Sequence, residues 1–149
     1  MKILLGVDGS PYSKAAVDRL TKFPFPPDTE VLVLSAAQPV AVAYAMAELP
    51  AASFAPQIYE DEMRQHEEIA ARFERQLKDR GFRTRAMVMR GDPRAALIDT
   101  ARLEHVDMIV VGSHGRTGMT KLIMGSVANH VVTHASCDVL VVRLPATKA

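Results

Sequence analysis

The sequence has little of what would suit a secreted, membrane-spanning or nucleic-acid-binding protein. Of its 149 residues one is a cysteine, Cys137, which excludes an internal disulfide and with it a stapled extracellular scaffold. The net charge is only +1, from 18 basic and 17 acidic residues, so no field gathers nucleic acid or an anionic membrane. Long apolar runs are also missing. The N-terminal run meets Asp8 before it reaches signal-peptide length, and a cytoplasmic location is expected. The one long uncharged stretch, Val31 to Ala47, contains Ser35, Gln38, Pro39 and many alanines, and is too weakly hydrophobic for a membrane span. Several motifs are lacking as well. No Walker GxxxxGK sequence occurs, no GxGxxG follows the first apolar run, and no HExxH is present. No nucleophile, base and orienting group can be assembled, so the chain does not read as an enzyme.

What is present is an ordinary globular composition, 48% hydrophobic and 23% charged, over a length that suits one domain spanning residues 1–149. Such a chain buries roughly two-thirds of its unfolded surface. Four short runs of branched apolar residues recur: Ile3 to Val7, Val31 to Leu34, Met108 to Val111 and Val139 to Val142. They are continuous rather than alternating, as in strands covered on both faces of a parallel sheet. A fifth, Arg83 to Met89, mixes in charge and reads as an edge strand.

Helical patterns lie between these runs. Ser10-Pro11 and Asp92-Pro93 each supply an N-cap followed by proline at the first helical position. Ala16, Leu20 and Phe23 form the apolar face of the first helix, and Pro24, Pro26 and Pro27 stop it. The longest helix should run from about Gln57 to Arg80, with Tyr59, Met63, Ala70, Phe73 and Leu77 on one stripe, His66 at its margin and Gly81 at its stop. A last helix, from Ser126 to His134, should bury Val127, His130 or Val131, and His134. Residues 36–56 form an irregular connection or flap.

The order β-α-β-α-β-α-β-α-β predicts an α/β fold, a doubly wound five-stranded parallel sheet of Rossmann-like type with helices on both faces. Such sheets bind ligands beyond the carboxyl ends of their strands. The segment after the fourth run is therefore the one to watch. It reads Gly112-Ser113-His114-Gly115-Arg116-Thr117-Gly118, and then reaches Gly125-Ser126 at the start of a helix. Glycines at 112, 115 and 118 predict positive φ and close approach to a ligand. The unpaired N–H groups of the helix start, with its dipole, form an anion site. Ser126 then serves as a phosphate donor or only as the N-cap, and Arg116 and Lys121 add charge. A glycine-rich loop that merely closes the sheet is the plainer alternative.

The spacing Gly112-x2-Gly115-x9-Gly125-Ser126 matches at every defined position the nucleotide motif of the universal stress proteins, and the chain resembles the ATP-binding type of that family. Val7-Asp8-Gly9-Ser10 and the closing Val139-Leu140-Val141-Val142-Arg143 share the resemblance. It implies a stress-response protein that holds ATP, with Mg²⁺ carried by the phosphates and slow hydrolysis or none. By resemblance, Asp8 meets the adenosine part with Val7 beside the adenine, and Ala36 touches the base through its backbone. Gly112, Ser113, His114 and Gly115 line ribose and phosphates; Gly125, Ser126 and Val127 grip the phosphates. It also implies a homodimer through Val139 to Arg143 and a signalling partner. Two departures are Ala128, where some relatives carry a hydroxyl, and Asp138, where a proline is common. A dimeric interaction protein of the same fold without ATP is the alternative; an ATP-using enzyme lacks a substrate domain.

Other candidates carry less. Cys137 opens an apolar run and reads as a packed thiol. His130 and His134 have metal-ligand spacing but no third ligand, and His134 suits the helix dipole. Asp92 reads as a cap, and Asp61, Glu62, Glu67 and Glu68 as a solvated helix face. By itself Asp8 suits a ribose hydroxyl or a turn equally well.

Overall fold

The computed structural model describes residues 1–37, 55–116 and 124–144. The apolar runs become five strands: β1 (Lys2–Val7), β2 (Glu30–Ala37), β3 (Arg83–Arg90), β4 (Met108–Gly112) and β5 (Asp138–Val142). Between them lie four described helices, α1 (Pro11–Leu20), α2 (Ala55–Lys78), α3 (Pro93–Leu103) and α4 (Ser126–His134). All strands are parallel, in the order β3-β2-β1-β4-β5. The chain thus winds outward from β1 in one direction through β2 and β3, then crosses back to β4 and β5. The reversal opens a crevice between the carboxyl ends of β1 and β4, where doubly wound sheets take ligands.

Alternation along the strands divides the core in two. Ile3, Leu5, Val7, Val31, Val33 and Val110 face α1 and α2, where they meet Val17, Leu20, Phe73 and Leu77. Leu4, Leu32, Leu34, Ile109 and Val111 face α3 and α4, against Leu97, Ile98, Ala101 and Val131. Covering on both faces accounts for strands that read as unbroken apolar runs. Strand β3 takes an edge, as its charges predict.

The caps form as expected. Ser10 Oγ accepts from the Ser13 amide at 3.2 Å, and Asp92 Oδ1 accepts from the Arg94 amide at 2.9 Å. Gly81, at φ +89°, ends α2. Elsewhere the structure differs. Helix α1 stops at Leu20, so Phe23 lies beyond it and is exposed, stacked on Phe25 instead of joining the core. His66 is no marginal residue: it is 4% exposed, inside the α2 stripe. On α4 the buried residues are Ala128 and Val131, while His134 is exposed and bonds back to the His130 carbonyl at 2.9 Å. Strand β2 continues through Ser35, Ala36 and Ala37, and α2 begins at Ala55, so the expected irregular connection loses both its ends to regular structure. Its remainder, 38–54, lies outside the described residues. No described helix is long and apolar enough to cross a membrane.

Candidate functional site

The crevice begins at the turn after β1. Gly9 sits at φ +79°, a backbone shape that favours glycine, and a Cβ there would come within 3.0 Å of Ile69 on α2. Asp8 organises this turn. Its Oδ1 accepts from the Ser10 amide at 3.0 Å and from the Ser13 hydroxyl at 2.6 Å, while Ser13 Oγ accepts from the Asp8 amide at 2.9 Å. Its Oδ2 accepts from the Arg116 amide at 2.9 Å and so ties the loop after β4 to the end of β1. Both carboxylate oxygens are engaged by the chain's own donors, so the turn chemistry that sequence allows for Asp8 is present.

The loop after β4 is equally close-knit. Ser113, 2% exposed, donates its amide to the Val142 carbonyl at 2.7 Å and shares a 3.0 Å hydrogen bond with His114 Nδ1. The His114 ring lies against Tyr12, with centroids 5.0 Å apart. The glycines differ from expectation here. Neither Gly112 nor Gly115 has positive φ; positive-φ glycines among the described residues are Gly9, Gly81 and Gly91. They are small for a different reason. A Cβ on Gly112 would stand 2.6 Å from Tyr12 Cβ, and one on Gly115 would stand 2.8 Å from Asp8 Oδ2. At Gly125 it would meet His114 Cα and the Ser113 carbonyl, both at 3.1 Å. These glycines let three segments of the protein approach one another. Gly118 and Lys121 lie outside the described residues.

At the start of α4 the pattern changes. Gly125 is the N-cap, its amide donates to the Ser113 carbonyl at 2.8 Å, and no side chain caps the helix. Ser126 is therefore not the cap but the first helical residue, exposed. The first amide bonded back into the helix is that of Asn129, to the Gly125 carbonyl. The amides of Ser126, Val127 and Ala128 have no partner among the described residues. Three such donors and the positive end of the helix dipole are an arrangement able to receive an anion. Val127 packs against the second core, and Ala128 is 1% exposed, so the side chain that departs from some relatives is a packing group.

The remaining expected residues are near but differently used. The Val7 side chain is buried in the first core, and its carbonyl accepts from the Ser35 hydroxyl at 2.9 Å. Ala36 lies at the end of β2, next to β1, half-buried against the second core. Sequence reading finds no signal of a site role for Tyr12, Ser13, Ser35 and His66, the last of which it places only at the margin of the α2 stripe. His66 Nδ1 is 2.8 Å from Ser35 Oγ, and burial holds the imidazole pKa below its ordinary value, with the Arg116 charge acting the same way. Position 66 falls three residues after Met63 and four before Ala70, a spacing that marks the core side of α2. Burial pushes the Cys137 thiol up, which suits a packed group rather than a nucleophile.

Comparison with known proteins converges on one family. The model of the universal stress protein family matches residues 1–143. Universal stress protein YxiE of Bacillus subtilis is 26% identical over 147 residues, covering 95% of this chain and 98% of its own. Universal stress protein MJ0577 of Methanocaldococcus jannaschii is 35% identical over 69 residues, which span 46% of this chain and 43% of that protein. Its solved structure superposes with a TM-score of 0.86 at 24% identity, covering 98% of this chain and 97% of that one. A family member from Arabidopsis thaliana solved with AMP bound has a TM-score of 0.69 at 18% identity, covering 98% and 93%. Two others were solved with cAMP and with dAMP, at TM-scores of 0.61 and 0.67.

Proposed function

This chain belongs to the universal stress protein family, and we propose that it is an ATP-holding regulatory member that hydrolyses the nucleotide slowly or not at all. The observation that carries the reading is the start of α4, where the amides of Ser126, Val127 and Ala128 have no partner among the described residues. Buried or half-covered amides need acceptors, and phosphate oxygens supply them with charge to match the helix dipole. Relatives of the same fold solved with AMP, cAMP and dAMP support an adenine nucleotide as the ligand.

In this reading the phosphates lie on Gly125, Ser126 and Val127, with the Ser126 hydroxyl as a further donor. Gly112, Ser113, His114 and Gly115 form the ribose and phosphate wall, and Val7, Asp8 and Ala36 receive the adenosine end. Mg²⁺ would be carried by the phosphates of the nucleotide and would neutralise part of their charge; among the described residues there is no group of three potential metal ligands. The unit is a cytoplasmic homodimer. Strand β5 is a sheet edge whose Val139, Leu140 and Val141 remain only partly buried, and pairing it with a second copy through Val139 to Arg143 would cover it. A protein partner then reads the nucleotide state.

A second reading, an interaction protein of this fold that holds no ATP, draws on Asp8, whose oxygens are already engaged. Titration with ATP followed by melting temperature separates the two. A saturable rise is expected. Ser126→Asp places a fixed negative charge at the helix start, which suits the dipole yet repels phosphate, and should remove the rise without lowering the melting temperature of the free protein. No rise in the wild type, or a rise untouched by Ser126→Asp, would overturn the ATP reading.

A further inference from the structure

One polar group beside the crevice is a buried imidazole. His66 projects from α2 onto the end of β2, where its Nδ1 lies 2.8 Å from Ser35 Oγ. Ser35 is register partner of Val7 and donates its hydroxyl hydrogen to the Val7 carbonyl at 2.9 Å. A hydroxyl has one hydrogen, so Ser35 Oγ can only accept from His66. The imidazole therefore carries its hydrogen on Nδ1, and its Nε2 is a lone-pair acceptor in the neutral ring. Burial and the Arg116 charge both favour that neutral form; Glu62 from the same helix and Asp8 from the end of β1 oppose it.

Two further facts place this acceptor at the ligand side. Nε2 makes no hydrogen bond, yet among the described residues the only sealed side-chain atom without a partner is Glu62 Oε2. Nε2 is thus open to solvent although the residue is 4% exposed. One turn away on α2, Ile69 overhangs Gly9 in the turn that Asp8 organises, so this stretch of helix roofs the end of β1. His66 Nε2 then offers an acceptor that lacks a hydrogen.

Resting on the nucleotide reading, we propose that His66 is the base-reading residue of the site: its Nε2 accepts from an amino group at position 6 of a purine and disfavours a carbonyl there. An amino group supplies the missing hydrogen. A carbonyl would set two lone pairs against each other and leave both unpaired in a partly buried place, the arrangement by which hydrogen-bonding sites discriminate most strongly.

The experiment compares ATP with inosine triphosphate, which exchanges that amino group for a carbonyl, by calorimetry. Wild type should bind ATP at least about tenfold more tightly, and His66→Phe should bring the ratio near one while triphosphate binding persists. Equal binding of the two by wild type, or an unchanged ratio in His66→Phe, overturns the proposal while the nucleotide reading stands. Binding of neither removes both. Should His66→Phe not fold, ¹⁵N NMR of wild-type imidazole decides. The unprotonated nitrogen should be Nε2, and its resonance should move with ATP and stay with inorganic triphosphate. An unprotonated Nδ1, or an Nε2 resonance indifferent to ATP, overturns it.

Discussion

The two walls of the crevice are built on opposite terms. At the end of β1 both carboxylate oxygens are engaged: Asp8 holds the Ser10 amide, the Ser13 hydroxyl and the Arg116 amide. At the start of α4 three successive amides have none among the described residues. A turn whose carboxylate is satisfied from within sets the shape of the crevice whether or not anything is bound. A helix start left open is completed only from outside. Under the proposed function the contrast gives stability to the first wall and ligand affinity to the second, and substitutions on each side should separate accordingly.

The largest loss of stability should come from closing the gap between the two walls. Gly112→Val would drive a Cβ into Tyr12, whose Cβ would be 2.6 Å away and whose backbone carbonyl carbon 3.0 Å. A backbone atom cannot rotate aside, so overpacking of about 3 kcal/mol is expected, read as a fall in the urea midpoint. A midpoint that barely moves would mean that α1 is not held against β4 as tightly as the geometry indicates. Asp8→Ala comes next. It strips partners from two amides and a hydroxyl, and about 2 kcal/mol should be lost even in nucleotide-free protein. Asp8→Asn keeps acceptor oxygen for one of the two sides and should recover part of it.

Much of this arrangement is legible in the sequence, and the exceptions share a cause. Strands buried on both faces announce themselves as unbroken apolar runs, and Ser10-Pro11 and Asp92-Pro93 mark helix starts because those residues act locally. The glycine spacing Gly112, Gly115, Gly125 marks the candidate site through local pattern as well. What it cannot reveal is why each glycine is there. Gly112 and Gly115 yield to Tyr12 and Asp8, contacts between segments a hundred or more residues apart in the chain. Phe23 follows the helical period past Leu20, but α1 has ended and the ring is exposed. His66 sits on the core stripe, yet a polar residue on such a stripe is explained only by a partner, and Ser35 comes from another strand.

Acid should expose the third effect, smaller than the first two and confined to one side chain. In the unfolded chain the His66 imidazole takes up a proton as pH falls through its ordinary value of 6.5; in the folded protein burial and Arg116 resist that proton. The unfolded state therefore binds more protons below that value, and folding stability falls with pH until the folded imidazole titrates as well. Above it the contribution is fully present. His66→Gln, which retains a donor for Ser35, should flatten this part of the stability profile between pH 7 and 5. An unchanged slope would assign the acid sensitivity to other groups, of which Asp92, held low by its hydrogen bonds to Arg94, acts only in more acid solution.

The smallest change in stability should accompany the most selective loss of binding. Ser126 is exposed, makes no cap bond and its hydroxyl has no hydrogen bond among the described residues, so removing that hydroxyl leaves none of them unpaired. Ser126→Ala should alter the urea midpoint by no more than about 0.5 kcal/mol equivalent. If phosphate rests on this helix start, the same change removes one hydrogen bond to a charged oxygen and should weaken ATP about tenfold. The backbone amides remain, so binding should weaken rather than vanish. Affinity that falls together with stability, as it would for Asp8→Ala, would mean that the second wall is also a structural element. Affinity that does not fall at all would move the phosphates off Ser126 and onto the amides alone.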